Sequence, residues 1–582
     1  MNFTRPVRAR PTPDQFRDQL DEATGQHLGF HIRKGQWHAA QRLLDRCIIE
    51  MPTGEGKTLT TLLAAASFAF SGRKVLVATA NDYLASRDAE WMSPLYQRVG
   101  LKVASVSTTT PQPERAAIYA EDIVYGTLRE FAFDFLRQSL ADRHGLQTNR
   151  EQRGHFDFPH DVLIIDEADS ILIDEARTPM IITAPIVNIN HARESCYRWA
   201  SEAAMDFCRP RDYVRLGGDG PVALTEAGRK RVLTSRMPPS MAELTTTDIL
   251  HALERAILVN ETIHRDVHYV VHDDRIQLVD EYTGRKAAER NFGGGVHQAI
   301  EAREGLALTR ESEAVARISV QDFVSRFAHL GGMTATAWED RNELRRVYDL
   351  RVYRVQPHQR SNRFLMPPKI CRSLEEKWSC IADETESMVA ADRSVLIGTR
   401  TISQSEELSE LLNARNITHV VLNARNPASE AAIVAQAGQP GKVTLATNMA
   451  GRGTDIRLSQ TVANAGGMHV IVSEAHAASR IDRQLIGRSA RQGDPGSARL
   501  FVSPEDEILT QAFGKREATR IQTAVQQGST KWLLAKVMSA QKRVSQLHRQ
   551  ERAELTARDL KLAGALKDLG LDPHLDPLQD SN

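Results

Sequence analysis

Met51-Pro52-Thr53-Gly54-Glu55-Gly56-Lys57-Thr58 constrains this chain more than any other stretch. The short apolar segment Cys47-Ile48-Ile49 precedes it, and an Ala/Leu-rich run from Leu59 to Phe70 follows. Strand, glycine loop and helix in that order form the setting of a phosphate-binding loop. Glycines let backbone N–H groups close around phosphate oxygens with no Cβ in the way, and the helix N-terminus adds its dipole. Thr53, Gly54, Glu55 and Gly56 would form the cradle, with Lys57 reaching the β- and γ-phosphates of ATP and the Thr58 hydroxyl on Mg²⁺. The longer form of the pattern starts with a glycine. Met51 stands in its place, leaving P-T-G-x-G-K-T.

The neighbouring runs supply the rest of a nucleotide-binding lobe. Lys74 to Ala80 and Asp122 to Thr127 read as buried parallel strands. Val162-Leu163-Ile164-Ile165 runs into Asp166-Glu167, which puts two carboxylates at the C-terminal end of a strand, where open α/β sheets bind ligands. Asp166 is placed to hold Mg²⁺ through water, and Glu167 to orient and activate an attacking water. The shortened loop is the form used by tandem-lobe helicase-like motors. In those a glutamine ahead of the first strand pairs with the adenine edge, and Gln41 fits that place.

Composition narrows the class. A chain of 582 residues suggests roughly three or four domains. With 74 acidic and 74 basic residues it has no net electrostatic pull toward nucleic acid or anionic lipid. The five cysteines lack CxxC spacing and read as reduced structural thiols of a cytoplasmic protein. His264, His268, His272 and His297 are not spaced to converge on a metal. The N-terminus lacks the apolar core of a secretory signal, and no apolar run reaches the roughly 18–20 residues of a membrane span. The expectation is a soluble protein whose membrane contact is at most peripheral, on the inner face of the cell membrane.

Beyond the acidic pair the run continues as Ala168-Asp169-Ser170-Ile171-Leu172-Ile173-Asp174-Glu175-Ala176-Arg177-Thr178-Pro179. This resembles the signature of SecA, the preprotein translocase motor ATPase. Asn81 to Asp88 and Phe131 to Leu136 are similar to the same family's first lobe. The resemblance implies two tandem RecA-like lobes with parallel sheets, an inserted α+β clamp domain and a long C-terminal helix. On that basis lobe 1 takes residues 1–185 and 313–360, the insert 186–312, lobe 2 361–513, and a helical scaffold segment 514–582. A hairpin is expected in the insert around Asp273-Asp274, and Asp280 to Arg285 resembles the family's return strand.

Gly331 to Ala337 has the composition of the segment that senses γ-phosphate and couples the lobes; the family usually has glycine where Ala335 stands. Pro357 to Pro368 reads as the connector and hinge. In the second lobe, Ser394–Thr399, His419–Leu422, Val443–Thr447 and His469–Val472 read as strands. Asn448 to Asp455 contributes Arg452 and Asp455 to the nucleotide site. In Gln484 to Asp494, Arg488 and Arg491 sit three apart on an expected helix and share a face, placed to neutralise the transferring phosphoryl group. Ile486 and Ala490 replace the family's arginine and glycine.

After Phe513, Ser529 or Thr530 is expected to cap a helix with an apolar stripe at Leu533, Val537, Ala540, Val544 and Leu547 that Asp572-Pro573 stops. Little sequence follows Leu562, so the family's wing, two-helix finger and zinc tail have no room in this expectation. The implied function is ATP hydrolysis coupled to polypeptide binding and export, with a partner needed for translocation. Implied partners are unfolded preprotein or other polypeptide, the Sec channel and a full-length SecA. The alternative is a nucleic-acid-stimulated DEAD-type helicase ATPase.

Overall fold

The structure is a computed structural model that describes residues 13–143, 158–187, 191–215, 222–265, 268–272, 274–279, 286–287, 292, 294–309, 311–422, 433–434, 436–447, 456–528, 530–568 and 572–575. Arg452, Asp455, Ser529 and the segment 280–285 lie outside the described residues.

Two parallel sheets organise the chain as tandem RecA-like lobes. Sheet 1 has seven strands in the order Arg351–Arg354, Cys47–Glu50, His329–Thr334, Val162–Asp166, Val75–Thr79, Ile123–Thr127 and Val103–Ser105. The five strands between its two edge strands are short runs buried on both faces, as a parallel sheet covered by helices requires. Alternation divides them: Ile48, Leu76, Leu163 and Ile165 enter one core, and Ile49, Val77, Val162 and Ile164 the other. The three central motifs lie side by side, because Glu50 pairs with Thr334 and Met333 with Asp166. All three strands therefore open at one end of the sheet.

The strand His329–Thr334 carries Gly331 and Gly332, poor strand formers. At Gly332 the reason is close approach: a Cβ there would lie 2.8 Å from the Ile165 carbonyl oxygen and 2.9 Å from Ala168 Cβ.

Strands Met180–Val187 and Glu311–Ile318 pair antiparallel and carry the chain out of lobe 1 and back. Between them the insert has its own core, with Cys196, Ala200, Phe207, Leu253 and Ile257 packed between helices His191–Ala203 and Thr246–Thr262. Tyr269–His272 and Arg275–Val279 form the hairpin. Among the described residues no group of three or more ligating side chains could hold a metal.

The second sheet runs Asn362–Leu365, Pro495–Val502, Met468–Val472, Val395–Thr399, Val443–Thr447 and His419–Leu422, with Lys369–Ile370 also on Pro495–Val502. Asn362–Leu365 corrects the reading of 357–368 as a plain connector: its second half is an edge strand, where flanking prolines are tolerated.

Lobe 2 encloses an ion pair. Lys377 Nζ lies 2.7 Å from Asp506 Oδ1, with both side chains fully buried. Ser503 donates to Asp506 from its hydroxyl and its N–H, and Glu474 is buried nearby. Removing one partner of such a pair strands the other charge, so Lys377→Met should destabilise lobe 2 by about 3–5 kcal/mol. Denaturant unfolding followed by tryptophan fluorescence checks this, and an unchanged midpoint would contradict it.

Helix Leu533–Asp568, 36 residues and about 54 Å long, lies along the body. It buries Leu533, Val537, Ala540 and Val544 as expected, but Leu547 is 42% exposed. The apolar stripe ends at Val544 because the surface beyond it carries carboxylates. Arg552 and Arg549 reach Glu343 there at 2.7 and 3.1 Å. The helix ends at Asp568, ahead of Asp572-Pro573. No described helix is long and apolar enough to cross a membrane.

Candidate functional site in the cleft between the lobes

The loop after Cys47–Glu50 has the geometry its glycines allow. Gly54 and Gly56 both have φ of +89°, and helix Lys57–Phe70 begins directly after them. A Cβ on Gly56 would lie 2.2 Å from Gln36 Nε2. Met51 is not among the left-handed residues, and its N–H donates to the Thr334 carbonyl at 2.9 Å. Its backbone is ordinary, so no glycine is needed there.

Lys57 Nζ lies 3.1 Å from Glu167 Oε1, with both side chains largely buried. Glu167 has φ of +54°, a conformation that costs a non-glycine residue about 1–3 kcal/mol and gathers at functional sites. Its N–H donates to Asp166 Oδ1 at 3.0 Å. Burial, and then the adjacent Glu167 carboxylate, push Asp166 up to about 7 against the pull of Lys57. Thr53, Gly54, Glu55, Gly56, Lys57, Thr58, Asp166 and Glu167 all line one cavity of about 1220 Å³.

The expected glutamine is displaced. Gln41 lies on the exposed side of helix Lys34–Leu43, beside His38, Arg42 and Asp45 and away from this cavity. Gln36 lines the cavity in its stead: it is 6% exposed and donates from Nε2 to the Glu55 carbonyl at 2.9 Å. Five helical residues separate the two, which turns them about 140° apart. Arg33 caps the same corner, 3.3 Å from Glu55 Oε2.

The opposite wall comes from lobe 2. Helix Ser479–Ile486 stops before Arg488, so Arg488 and Arg491 do not share a helix face as expected. They lie in the turn that follows, where Ala490, Gln492 and Gly493 have φ of +52°, +51° and +87°. Both arginines nonetheless line the cavity. A Cβ on Gly54 would lie 3.6 Å from Arg491 Cβ and 3.5 Å from Gln492 Cγ, so this turn sits directly on the phosphate loop.

Below the cavity, Asp169 joins the lobes. Its carboxylate accepts from the Thr334 and Thr336 hydroxyls, from Gln484 Nε2 at 2.6 Å and from Arg480 at 3.5 Å. Arg480 also contacts Asp174 and Asp340, all of them buried in the interface. Sequence reasoning placed Thr334 and Thr336 in a segment that couples the lobes but gave no role to Asp169, Asp174, Asp340, Arg480 or Gln484. Asp169, Asp174 and Gln484 were signalled only by membership in runs already singled out, and Arg480 and Asp340 lie outside those runs.

The family model described as the SecA DEAD-like domain matches residues 15–345, and that of the SecA P-loop domain matches 361–462 and 457–529. A Rhodopirellula baltica protein named protein translocase subunit SecA 2 is 40% identical over 555 residues, 92% of this chain and 84% of that protein. Protein translocase subunit SecA of Syntrophus aciditrophicus is 41% identical over 502 residues, 85% of this chain and 58% of its own length. The chain spans little more than half the length of several such SecA relatives. Among solved structures, S. cerevisiae Dbp5 bound to RNA and ADP BeF3 is 13% identical at a TM-score of 0.42, covering 90% of this chain and 97% of that one. The two domain models and the relative spanned over most of its length place the chain: it belongs to the SecA family.

Proposed function

We propose that the chain binds and hydrolyses MgATP in the cleft between its lobes and couples that cycle to an unfolded polypeptide held by the insert. The observation that carries this reading is the seating of Arg491 and Gln492 on Gly54, over a cavity that also holds Lys57 and Glu167.

Each wall has a role. The amide of Gln36 has two N–H donors and two lone pairs. Glu55 and Arg33 use one of each, and an adenine edge, which offers a donor beside an acceptor, complements the others. The loop N–H groups and Lys57 hold the phosphates. Thr58 and Asp166 present hydroxyl and carboxylate oxygens, hard donors that suit Mg²⁺, which when bound neutralises charge on the β- and γ-oxygens. A γ-phosphate competes with Glu167 for Lys57 and so releases the carboxylate to accept a proton from water. Arg491, and beside it Arg488, neutralise the charge that develops on the transferring phosphoryl group. Arg452 and Asp455 belong to the same proposed site on motif grounds.

The polypeptide is read by the insert, whose strands and hairpin offer backbone edges that need no particular side-chain sequence. The relatives' names, protein translocase subunits, support the same substrate class, and a membrane channel and a full-length SecA are the partners proposed with it. ATP turnover measured alone, with an unfolded secretory polypeptide and with single-stranded RNA tests this. Polypeptide should raise the rate severalfold and RNA should leave it unchanged. Stimulation by RNA alone would favour a helicase-type ATPase instead.

A further inference from the structure

The chain passes from lobe 1 to lobe 2 through residues 356–361, and this crossing touches both halves of the cleft. On the lobe 1 side the His358 N–H donates to Glu55 Oε1 of the phosphate loop at 3.1 Å. On the lobe 2 side Asn362 Nδ2 donates to the Gly493 carbonyl at 2.7 Å. Arg363 donates from Nε to Ser489 Oγ at 3.1 Å and from Nη2 to the Ser489 carbonyl at 2.8 Å. The fully buried Ser489 in turn donates to the Ile486 carbonyl at 2.8 Å, at the end of helix Ser479–Ile486.

The turn gripped in this way has bonds of its own, from the Asp494 N–H to the Arg491 carbonyl at 2.8 Å and from Arg491 Nε to the Gly487 carbonyl at 3.4 Å, but its backbone is strained. Ala490 and Gln492 are left-handed without being glycine, at about 1–2 kcal/mol each. Gly493 is left-handed too, and a Cβ there would overlap Gln359 of the crossing segment. Ser489 and Gly493 bracket Arg491, and both ends are fastened by side chains of the edge strand, Arg363 and Asn362.

We propose that Arg363 is a positioning residue for ATP hydrolysis, its two-pronged grip on Ser489 fixing the turn that holds Arg491 over the phosphate loop. This rests on the reading of Arg491 as the charge-neutralising group. A guanidinium can bridge a hydroxyl and a carbonyl at fixed spacing, whereas an ammonium is a single point donor. Displacing a reacting group by about 1 Å costs on the order of 10²-fold in rate.

Turnover, ATP affinity and melting temperature are measured on the full chain for Arg363→Gln, Arg363→Lys, Arg491→Ala and the Arg363→Gln, Arg491→Ala double variant. Arg363→Gln should lose about 10²-fold in kcat with ATP affinity and melting temperature unchanged. Arg363→Lys should fall as far, and the double variant should be no slower than Arg491→Ala alone. Parent-like turnover in Arg363→Lys would show that charge alone suffices and overturn the inference. Losses that multiply in the double variant would also overturn it, as would loss of affinity and melting temperature alongside rate. If Arg491→Ala itself keeps full turnover, the arginine reading has failed and the inference fails with it. A damaged Arg491→Ala beside an unaffected Arg363→Gln refutes the inference alone.

Discussion

Glu167→Gln should bind MgATP as tightly as the parent and hydrolyse it about 10²–10⁴ times more slowly. The exchange keeps shape and hydrogen-bonding reach and removes the basic carboxylate. Backbone strain does not distinguish the two, since glutamine meets the same penalty at φ of +54°. The ground state is expected to be spared because the partner of Glu167 is Lys57, 3.1 Å away, and losing that ion pair leaves Lys57 available to phosphate. Equilibrium nucleotide titration and single-turnover hydrolysis separate the two effects. Affinity falling in step with the rate would assign Glu167 to the metal site or to folding instead.

Arg491→Ala should lower turnover by about 10³–10⁵-fold, the range that arginines stabilising a transferring phosphoryl group supply. Arg491 is 8% exposed and packs on the phosphate loop, so its charge acts where water is largely excluded. Arg491→Lys is not a rescue, because the planar fork is lost. Arg488 lines the same cavity from the start of the turn and not from a shared helix face, and Arg488→Ala should cost less. Steady-state ATPase assays check both. Parent-like turnover in Arg491→Ala would remove Arg491 from the chemistry.

Motif chemistry was legible in the chain because it is local. The phosphate loop needs its glycines and lysine in contiguous order, and the acidic pair follows four aliphatic residues that read as a buried strand. The same holds for Val75–Thr79, Val395–Thr399 and Val443–Thr447, each continuous and β-prone. What was not legible depends on long-range fit. His329–Thr334 is a strand despite two glycines because its neighbours leave no room for side chains there. Pro495–Val502 opens with Pro-Gly-Ser-Ala, a turn signal overridden by pairing with Met468–Val472 and Asn362–Leu365. Gln36 and Gln41 share one short helix, and which of them meets the loop depends on a rotation that periodicity alone does not set. The turn that carries Arg491 was read as helix because alanine and glutamine give no sign of left-handed backbone.

In the proposed reading one chain builds its hydrolytic site from both lobes, with Lys57 and Arg491 lining one cavity of the same molecule. The direct measurement is ATP turnover by an equimolar mixture of the Lys57→Ala and Arg491→Ala variants, denatured together and refolded, beside the parent treated alike. Every chain then carries one broken half of the site. The parent should hydrolyse ATP, and the mixture should stay as inactive as either variant alone. A parent without turnover would contradict the proposed reading. So would recovery toward about a quarter of parental activity, the statistical yield of sites in which one chain's Lys57 meets the Arg491 of a second copy.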